Sequence, residues 1–348
     1  MAQIRKRGTK WQARIRIKGQ PSVEKTFITK ADAEAWAKLT ESEMIRGVYI
    51  KRTDAERTTL SEALDRYEAE VTPTKRGAAI ERFRLATWRK SRLAQMTLAS
   101  LRGADFARWR DERLKDVAPA TVKREFGAVC NLFNVARKEW GFDGLSNPIE
   151  SIRLPREDNA RSRIFFEGEE SILLQALNPK EQGEGRHGRI NSWIKPIVEL
   201  ALETAMRRGE ILALRWENVR LEDQVALLPI TKNGGSRHVP LSRRAVQIIS
   251  DIPRAINGQV FPVTANALKL AFVRAVTRAR RKYVEDGGTD DRIMVDLHFH
   301  DLRHIAITRL ADKLPNVIEL AAVSGHSDVR MLRRYYHPKA SDLAKKLG

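Results

Sequence analysis

Four polar side chains near the end of the sequence have the types and spacing of a phosphoryl-transfer site. His300 and Arg303 are three residues apart, so on a helix they lie on one face. His326 precedes Tyr335 by nine residues. An arginine, two imidazoles and a phenol can together bind a phosphate, move a proton and attack. The stretch from 298 to 337 is therefore where a catalytic centre is expected.

The composition indicates what such a centre acts on. The 348 residues include 64 Lys and Arg against 44 Asp and Glu, a net charge of +20. This excess indicates a polyanionic partner, most simply nucleic acid. A membrane partner is not expected, because we find no basic amphipathic helix, lipidation signal or long apolar run.

Cellular location and cofactor use follow from a few further features. The N-terminus lacks the apolar core of a signal peptide, which favours a cytoplasmic protein. The single cysteine, Cys130, lies in an apolar helical pattern and is expected to be a buried structural thiol. No metal-ligand cluster accompanies the candidate site, so neither a metal nor another cofactor is expected.

The N-terminal part, residues 1–55, predicts a small sheet with one helix packed on it. Apolar and polar residues alternate from Trp11 to Lys18, which is typical of a half-buried strand, and Val23–Ile28 reads as a returning strand. Thr29 and Asp32 have capping-box spacing before a helix. With 13 basic and 6 acidic residues, this part is expected to bind DNA through its exposed strand face, although a solvated face is the alternative. The basic residues of that face are Arg14, Arg16 and Lys18.

A second part, residues 57–150, predicts a helical domain after a polar linker at 50–58. Thr59 and Glu62 form the capping-box pattern of its first helix. Further helices are predicted at about 78–90, 103–115 and 119–140. The basic residues Lys123 and Arg124 on the last of these helices are candidates for DNA contacts.

Residues 160–348 form the third predicted part, which is mainly helical with one β-hairpin. The sequence predicts two short strands, Val225–Ile230 and His238–Leu241, joined by an Asn-Gly turn. This hairpin places Lys232 at its tip or shoulder. The Gly-rich stretch 178–191 reads as a mobile loop. Arg207 lies near the start of a helix that is predicted from Glu210 onward, where backbone N–H groups favour an anion.

Six residues in this order resemble the signature of the tyrosine recombinases of the phage integrase family. The matching segments are Thr204–Glu210, Thr231–Leu241, His300–Arg303 and Gly325–His337. They contribute Arg207, Lys232, His300, Arg303, His326 and Tyr335. The resemblance covers the whole third part, and the first two parts resemble the arm-site-binding and core-site-binding domains of integrases. Ala205 and Ser324 depart from the Gly and Leu that are common in the family, which suggests small packing adjustments.

The resemblance implies a multi-domain, mainly α fold: a three-stranded sheet with a helix, a helical core-binding domain, and a mostly α catalytic domain with a small sheet. It also implies a role for each catalytic residue. Tyr335 is the nucleophile, and His300 assists the transfer of its proton. Lys232 protonates the leaving 5′-oxygen, and His326 donates a hydrogen bond to the phosphate.

The arginines are expected to clamp the phosphate in place of a metal ion. A purely structural role for Arg207, in a salt bridge to Glu210, is the alternative. We expect instead that Glu210 holds an arginine of the site in position. Tyr336 is a rival nucleophile, and the spacing from His326 favours Tyr335. The flanking histidines, His298 and His304, are expected to be structural.

The implied function is that of an integrase, a site-specific recombinase that cuts and rejoins double-stranded DNA through a 3′-phosphotyrosyl link. It would integrate or excise a phage or mobile element as a homotetramer on core and arm sites, with DNA-bending and directionality proteins as possible partners. One alternative is a type IB topoisomerase that relaxes any plasmid. A second is a non-catalytic DNA-binding protein on the same scaffold, against which the complete set of residues argues.

Overall fold

Two units make up the chain, Met1–Asn159 and Ala160–Gly348, and each is described by itself. The structure is a computed structural model. It describes residues 2–18, 22–46, 53–142, 144–157, 161–178, 191–229, 235–336, 344 and 347.

The first unit begins with a three-stranded antiparallel sheet in the order β1-β2-β3. Its strands are β1 (Ala2–Arg7), β2 (Lys10–Ile15) and β3 (Val23–Phe27), followed by helix α1 (Lys30–Ile45). The predicted strands at Trp11 and Val23 are confirmed, but β2 ends at Ile15, three residues before the predicted end. The middle strand therefore carries Arg14, while Arg16 and Lys18 follow it.

Helix α1 closes one face of this sheet. The Thr29 hydroxyl accepts a hydrogen bond from the Asp32 N–H at 3.2 Å, so the predicted N-cap is confirmed. The buried side chains of this small core are Ala13, Ile15, Ala33, Ala37 and Met44. Because alternate strand residues point to opposite faces, burial of Ala13 and Ile15 turns Arg14 outward.

The rest of the first unit is helical, as predicted. Its helices are α2 (Thr53–Arg57), α3 (Leu60–Glu70), α4 (Ala78–Arg89), α5 (Gly103–Arg113) and α6 (Pro119–Glu139). Thr59 and Glu62 form the predicted capping box of α3. The linker predicted at 50–58 is wrong in part, because α2 lies within it and Ala55 is buried in the helical core.

Aromatic side chains fill the core of these helices. Trp88 is fully buried and stacks on Trp109 at 3.8 Å between ring centroids, while Phe126 meets both rings edge-on. The Trp88 indole N–H donates to the Glu125 carbonyl at 2.9 Å, so its polar atom is satisfied. Cys130 is half-buried rather than buried, and its Sγ lies 3.2 Å from Asn147 Nδ2.

The second unit combines seven helices with one small antiparallel sheet in the order β4-β5-β6, among the residues that the structure describes. The helices are α7 (Glu169–Ala176), α8 (Ile194–Thr204), α9 (Arg208–Leu212), α10 (Arg243–Ser250), α11 (Ala265–Glu285), α12 (Phe299–Lys313) and α13 (Val317–Ser324). The strands are β4 (Val219–Arg220), β5 (Val225–Leu228) and β6 (Arg237–Pro240), and a 3-10 helix spans Val329–Tyr335.

The predicted hairpin is β5 and β6, which pair in antiparallel register from Val225 opposite Pro240. Strand β4 was not predicted, because two residues are too few to show a period. Lys232 and all but the two ends of the predicted loop 178–191 lie outside the described residues. Helix α9 begins two residues before the predicted start at Glu210.

No helix in the described ranges is long and apolar enough to cross a membrane. The same ranges contain no group of three His, Cys, Asp or Glu side chains that is arranged to hold a metal ion.

A buried carboxylate fixes the approach to α12, the helix that carries His300 and Arg303. Glu169 is fully buried at the start of α7, and its carboxylate accepts hydrogen bonds from three donors. These are the Arg163 guanidinium, the Phe166 N–H at 2.9 Å and the Met294 N–H at 2.7 Å. The bond to Met294 holds the segment that leads into α12, so the position of this helix depends on Glu169.

We therefore predict that Glu169→Gln loosens the start of α12. One carboxylate oxygen accepts from both Arg163 and Met294, and the other accepts from Phe166. The amide keeps a single acceptor oxygen and no charge, so it turns a donor toward one of these two sets of N–H groups. We expect a loss of about 1.5–3 kcal/mol, typical of hydrogen bonds to a charged group. Amide hydrogen exchange of residues 293–310 in the full chain should then accelerate roughly 10- to 100-fold, since 1.4 kcal/mol is a factor of ten.

The neighbouring Glu170→Gln is the matched control. It removes a solvent-exposed ion pair with Arg309, and such pairs contribute at most about 1 kcal/mol. Equal acceleration in the two variants would show that the Glu169 bonds do not hold α12.

Candidate active site

Arg303 is the most enclosed charge of the site, with 5% of its surface exposed. Its Nη1 donates to the carbonyl of Ala205 at the end of α8, and its Nη2 donates to the carbonyl of Ser324 at 2.6 Å, at the end of α13. Burial, and then the neighbouring Arg207 cation, lower the pKa of Arg303 to about 10. The guanidinium is therefore charged at neutral pH and fixed in its plane by two helix ends.

Arg207 caps the start of α9 and faces the same place. Its backbone N–H and its Nη1 donate to the two carboxylate oxygens of Glu210 at 2.9 and 2.8 Å. Its Nη2 donates to the Gly325 carbonyl at 3.3 Å, next to the carbonyl that holds Arg303. The structure thus brings Arg207 and Arg303 to one turn of the chain, from positions nearly a hundred residues apart.

A third arginine, Arg237 on β6, completes this cluster. Its Nη2 donates to Glu210 at 2.7 Å, and its Nη1 donates to the Val323 carbonyl. Arg237 was not predicted as a site residue. The period of the strand carried the signal, because Arg237 and the buried Val239 alternate with exposed residues and so point to the same face.

Glu210 is the carboxylate that both Arg207 and Arg237 contact. Burial alone would raise the pKa of this carboxyl, but the hydrogen bonds from Arg207 and the charge of Arg237 outweigh burial and lower it. The expectation that Glu210 braces an arginine stays a prediction, and its bonds to two of them support it. Three guanidiniums around one carboxylate leave the cluster with excess positive charge that suits an anion.

Gly325, which connects α13 to His326, has a position that only glycine suits. Its φ is +69°, in the left-handed region. A Cβ at this position would also lie 2.7 Å from Arg237 Cζ. The glycine therefore lets the Arg237 guanidinium lie directly on the backbone before His326.

His326 is tied to Ser324, the residue at which the sequence departs from the family pattern. Ser324 is fully buried, and its Oγ lies 2.7 Å from His326 Nδ1 and 2.6 Å from the Leu320 carbonyl. A serine has one hydroxyl hydrogen, which the Leu320 carbonyl needs because it can only accept. His326 then donates from Nδ1 and keeps the lone pair of its neutral form on Nε2.

The electrostatics at His326 keep it neutral. Burial, followed by the positive charges of Arg303, Arg207 and Arg237, lowers the pKa of His326 to about 4. At neutral pH it carries no charge in the protein alone. An anion placed among the same arginines would offset their charge and favour its protonation.

Tyr335 lies at the end of the 3-10 helix, half-buried, with its hydroxyl 2.7 Å from His304 Nδ1. The two ring centroids are 4.9 Å apart. Burial raises the pKa of Tyr335 despite the nearby charges of Arg334 and Arg303. The spacing predicted a structural role for His304, but the structure places it against the candidate nucleophile.

Tyr336 has a different environment from that of Tyr335. Its hydroxyl donates to the Leu314 carbonyl at the end of α12. Burial and the charge of Glu319 raise the pKa of Tyr336, whereas Arg334 and Arg303 act on Tyr335. This geometry favours Tyr335 over Tyr336, as the spacing from His326 does.

The remaining predicted residues lie at or beyond the edge of this cluster. His300 is exposed on the first turn of α12, whereas Arg303, on the same helix, is buried. His298 precedes the helix as its N-cap residue, with Nδ1 3.5 Å from Asp296. Lys232 lies outside the described residues, between β5 and β6.

Comparison with known proteins places this geometry among DNA-recombining enzymes. Residues 172–342 match the phage integrase family. The chain is 40% identical over 297 residues to the shufflon-specific DNA recombinase of Escherichia coli, covering 83% of this chain and 71% of that protein. It is 35% identical over 348 residues to an inferred integrase/recombinase of Haemophilus influenzae, covering 99% and 89%.

Solved structures with the same fold are more distant in sequence. The Tn1549 transposon integrase in complex with a circular intermediate DNA superposes with a TM-score of 0.64 at 17% identity, covering 83% of this chain and 99% of that chain. A lambda integrase tetramer bound to a Holliday junction gives a TM-score of 0.61 at 17% identity, covering 93% and 95%.

The contact between Ser324 and His326 generates a prediction about the tautomer of the imidazole. In the full chain without DNA, neutral His326 should carry its proton on Nδ1, where Ser324 Oγ accepts it. Ser324→Ala removes that acceptor, so the population should shift toward the Nε2–H tautomer. Nitrogen-15 chemical shifts of labelled histidines measure this population, with the His326 signal assigned by its loss in His326→Gln.

The exposed His238 provides an internal control, and its shifts should not change in Ser324→Ala. An Nε2–H tautomer already dominant in the unaltered chain would show that Ser324 instead donates to His326 and that the assignment above is wrong.

Proposed function

Because the chain belongs to the phage integrase family, we propose that it cuts and rejoins DNA strands through Tyr335, with the arginine cluster binding the phosphate under attack. The chain is a site-specific DNA recombinase of the tyrosine recombinase type.

The observation that carries this proposal is that Tyr335 packs against the core cluster that contains Ala205, whose carbonyl holds Arg303. The charge of Arg303 acts on the phenol of Tyr335 and on the imidazole of His326. A phenol, an imidazole and a guanidinium that interact in this way can serve one phosphate. The Tyr336 hydroxyl, directed to the end of α12, does not share this arrangement.

The arginines would bind the non-bridging oxygens of the phosphodiester. A guanidinium carries five N–H donors, so Arg303 can hold the Ala205 and Ser324 carbonyls and still donate to a phosphate. Arg207 is braced in the same manner by Glu210 and Gly325. Donors that are fixed before the reaction stabilise the developing charge without reorganisation, which is often the largest part of the rate.

The covalent step then needs no metal and no ATP. The Tyr335 oxygen attacks phosphorus, the bond from phosphorus to the 5′-oxygen breaks, and a 3′-phosphotyrosyl link forms. Lys232, between β5 and β6, donates a proton to the leaving 5′-oxygen. The 5′-hydroxyl of a second strand reverses the step, because the energy of the phosphodiester is retained in the link to tyrosine.

His326 would contribute a hydrogen bond from Nε2 to the same phosphate. In the neutral form that Ser324 favours, Nε2 is an acceptor and repels a phosphate oxygen. Arrival of the anion favours protonation of the imidazole, after which Nε2 donates. Binding of the scissile phosphate is therefore proposed to take up a proton at His326.

We propose that two further DNA-binding parts, residues 1–55 and 57–150, precede the catalytic domain at 160–348. Each has a hydrophobic core of its own among the described residues, which supports this division. The outer face of the sheet carries Arg5 and Arg7 on β1 beside the predicted Arg14, so its basic character extends across two strands. Linked modules that bind one DNA raise affinity through effective concentration.

We propose a homotetramer on DNA as the working assembly, with core and arm sites bound by different parts of each copy. The support is the similarity of fold to a lambda integrase that forms a tetramer on a Holliday junction. DNA-bending and directionality proteins are proposed partners, and the bacterial cytoplasm is the proposed location, since the similar recombinase and integrase are bacterial.

The first test of this function is Tyr335→Phe, with Tyr336→Phe as its matched control. A DNA duplex that the full chain binds is selected from a random-sequence library, and the position at which the chain cleaves it is mapped. This selected duplex is then nicked just 3′ of that cleavage position. The unaltered chain and Tyr336→Phe should form a covalent protein–DNA adduct, because the short leaving strand dissociates before religation. Tyr335→Phe should form none, since it lacks the attacking oxygen, and denaturing gels measure the adduct.

An adduct in Tyr335→Phe that is lost in Tyr336→Phe would reverse the assignment of the nucleophile. The topoisomerase alternative predicts that the chain also relaxes supercoiled plasmids without the selected sequence. A recombinase should instead join two copies of that sequence.

A second test addresses the DNA contacts proposed for α6. Lys123 and Arg124 are exposed on its first half, and Lys123 has only a loose ion pair with Glu157 at 3.4 Å. The double change Lys123→Gln with Arg124→Gln should weaken binding of the selected duplex and of duplexes of other sequence by a similar factor. The slope of log affinity against log salt should fall by about 2, roughly one for each lost phosphate contact.

The matched control makes the same change of charge at the other end of α6, with Arg137→Gln and Lys138→Gln. Its slope should remain near that of the unaltered chain. Equal slopes in the two double variants would show that the net charge, and not a contact at Lys123 and Arg124, is responsible.

A further inference from the structure

We propose that His304, and not His300, is the catalytic residue that accepts the proton of Tyr335 during DNA cleavage. The inference rests on the proposed function, since it assigns a role within that reaction. The contact that carries it is the 2.7 Å separation of His304 Nδ1 and the Tyr335 hydroxyl oxygen. A general base has to be within hydrogen-bond reach of the proton it removes, and His304 meets this condition before DNA is bound.

The backbone explains how these two residues meet. His304 lies in the second turn of α12, immediately after Arg303, so its side chain is about 100° round the helix from the buried guanidinium. The 3-10 helix Val329–Tyr335 passes this face and ends at the candidate nucleophile. The buried Leu332 anchors this 3-10 helix in the core that it shares with Ala306 and Ile307 of α12. Packing, rather than the polar contact alone, therefore holds the phenol against the imidazole.

The protonation states of the pair suit a transfer from oxygen to nitrogen. Burial and the charge of Arg334 lower the pKa of His304, so the imidazole is neutral and has a lone pair to offer. The phenol keeps its proton at neutral pH, because burial raises the pKa of Tyr335. A neutral phenol that meets a neutral imidazole at this distance donates its hydrogen to Nδ1, and the imidazole then carries its own hydrogen on Nε2.

The transfer balances within the proposed reaction. The Tyr335 proton moves to His304 Nδ1 as the phenolic oxygen bonds to phosphorus. The bond to the 5′-oxygen breaks, and Lys232 protonates the leaving oxygen. When a 5′-hydroxyl attacks in the second step, its proton passes to the neutral Lys232, and the imidazolium returns its own proton to the departing phenolic oxygen.

Several charged and titratable groups face this pair and have to be considered in any pH profile. Arg334 of the 3-10 helix acts on both partners, and Arg303 acts on Tyr335. Asp301 and His300, both on the first turn of α12, act on His304 in opposite directions. His300 lies one helical turn before His304 and is exposed, so it is the natural comparison residue.

The test measures single-turnover cleavage of the nicked selected duplex as a function of pH. His304→Ala should reduce the rate constant at pH 7 by about 10²–10⁴, the usual contribution of a general base. Without the imidazole, deprotonation of the phenol limits the reaction. The rate of the variant relative to the unaltered chain should therefore rise about tenfold per pH unit between about 7 and 9, below the ordinary pKa of a phenol near 10. Titrations common to both proteins cancel in this ratio.

His304→Asn separates proton transfer from positioning. Its side-chain oxygen can accept a hydrogen bond from Tyr335 but cannot hold the proton, so it should show the same slow rate and the same pH slope as His304→Ala. A rate close to that of the unaltered chain in His304→Asn would mean that the residue only positions the phenol, and would overturn the proposal.

A substrate with sulfur in place of the bridging 5′-oxygen distinguishes the two proton transfers. A thiolate leaves without protonation, so this substrate should restore cleavage by Lys232→Ala and leave His304→Ala slow. Restoration of His304→Ala would mean that the residue acts on the leaving group, against the proposal. His300→Ala should keep the pH dependence of the unaltered chain. A tenfold rise per pH unit in His300→Ala, with none in His304→Ala, would assign the base to His300.

Two controls keep the result attributable to His304. His298→Asn retains a good N-cap residue at the start of α12 and should cleave at the unaltered rate. Affinity of each variant for the selected duplex verifies that the protein is folded. Failure of the unaltered chain to form an adduct would remove the proposed function itself, whereas an adduct formed equally fast by His304→Ala would remove only this inference.

Discussion

The site depends on a guanidinium that is almost entirely removed from water. Arg303 keeps its charge although it is buried, because two backbone carbonyls accept its hydrogen bonds and the nearby carboxylate of Glu210 attracts it. The fall of its pKa from 12.5 to about 10 corresponds to roughly 3 kcal/mol against the charged form. Arg207 and Arg237 add to this cost, because they repel Arg303 at close range. A phosphate bound among the three arginines, as proposed, would relieve the same repulsion, and this relief would add to its affinity.

Two turns of the backbone make this arrangement possible. Ala205, at φ +53°, ends α8, and Gly325, at φ +69°, ends α13, and both are in the left-handed region. The carbonyl of Ala205 reaches Arg303 and that of Gly325 reaches Arg207, so each turn holds one of the arginines. An alanine in this conformation costs about 1–2 kcal/mol relative to an ordinary one. The departure from glycine at position 205 is thus a local strain that the packing of the fully buried Ala205 methyl offsets in part.

Short sequence patterns predicted the features of this fold that depend on residues close together in the chain, such as helix caps and strand pairs. The cap of α3 at Thr59, the start of α6 at Pro119 and the pairing of β5 with β6 were all predictable from neighbours in sequence. The tertiary parts of the site were not. The contact between His304 and Tyr335 joins residues 31 apart through the packing of a 3-10 helix on α12, which no spacing rule describes. Ser324 looked like a packing change because its hydroxyl had no partner in the sequence pattern, and only the turn at Gly325 brings His326 back to it.

In the proposed reaction, the protonation states of the site explain why fixed positive charge alone is insufficient. Arg303 stays charged, while His326 and His304 are kept neutral and Tyr335 is kept protonated. Arg303 and Arg334 favour the phenolate, yet burial outweighs them, and the pKa of Tyr335 is raised. A bound phosphate brings negative charge and would raise that pKa further. If Tyr335 is the nucleophile, as proposed, it becomes a weaker acid when a phosphate binds, and cleavage at neutral pH then requires a proton acceptor already in contact with the phenol.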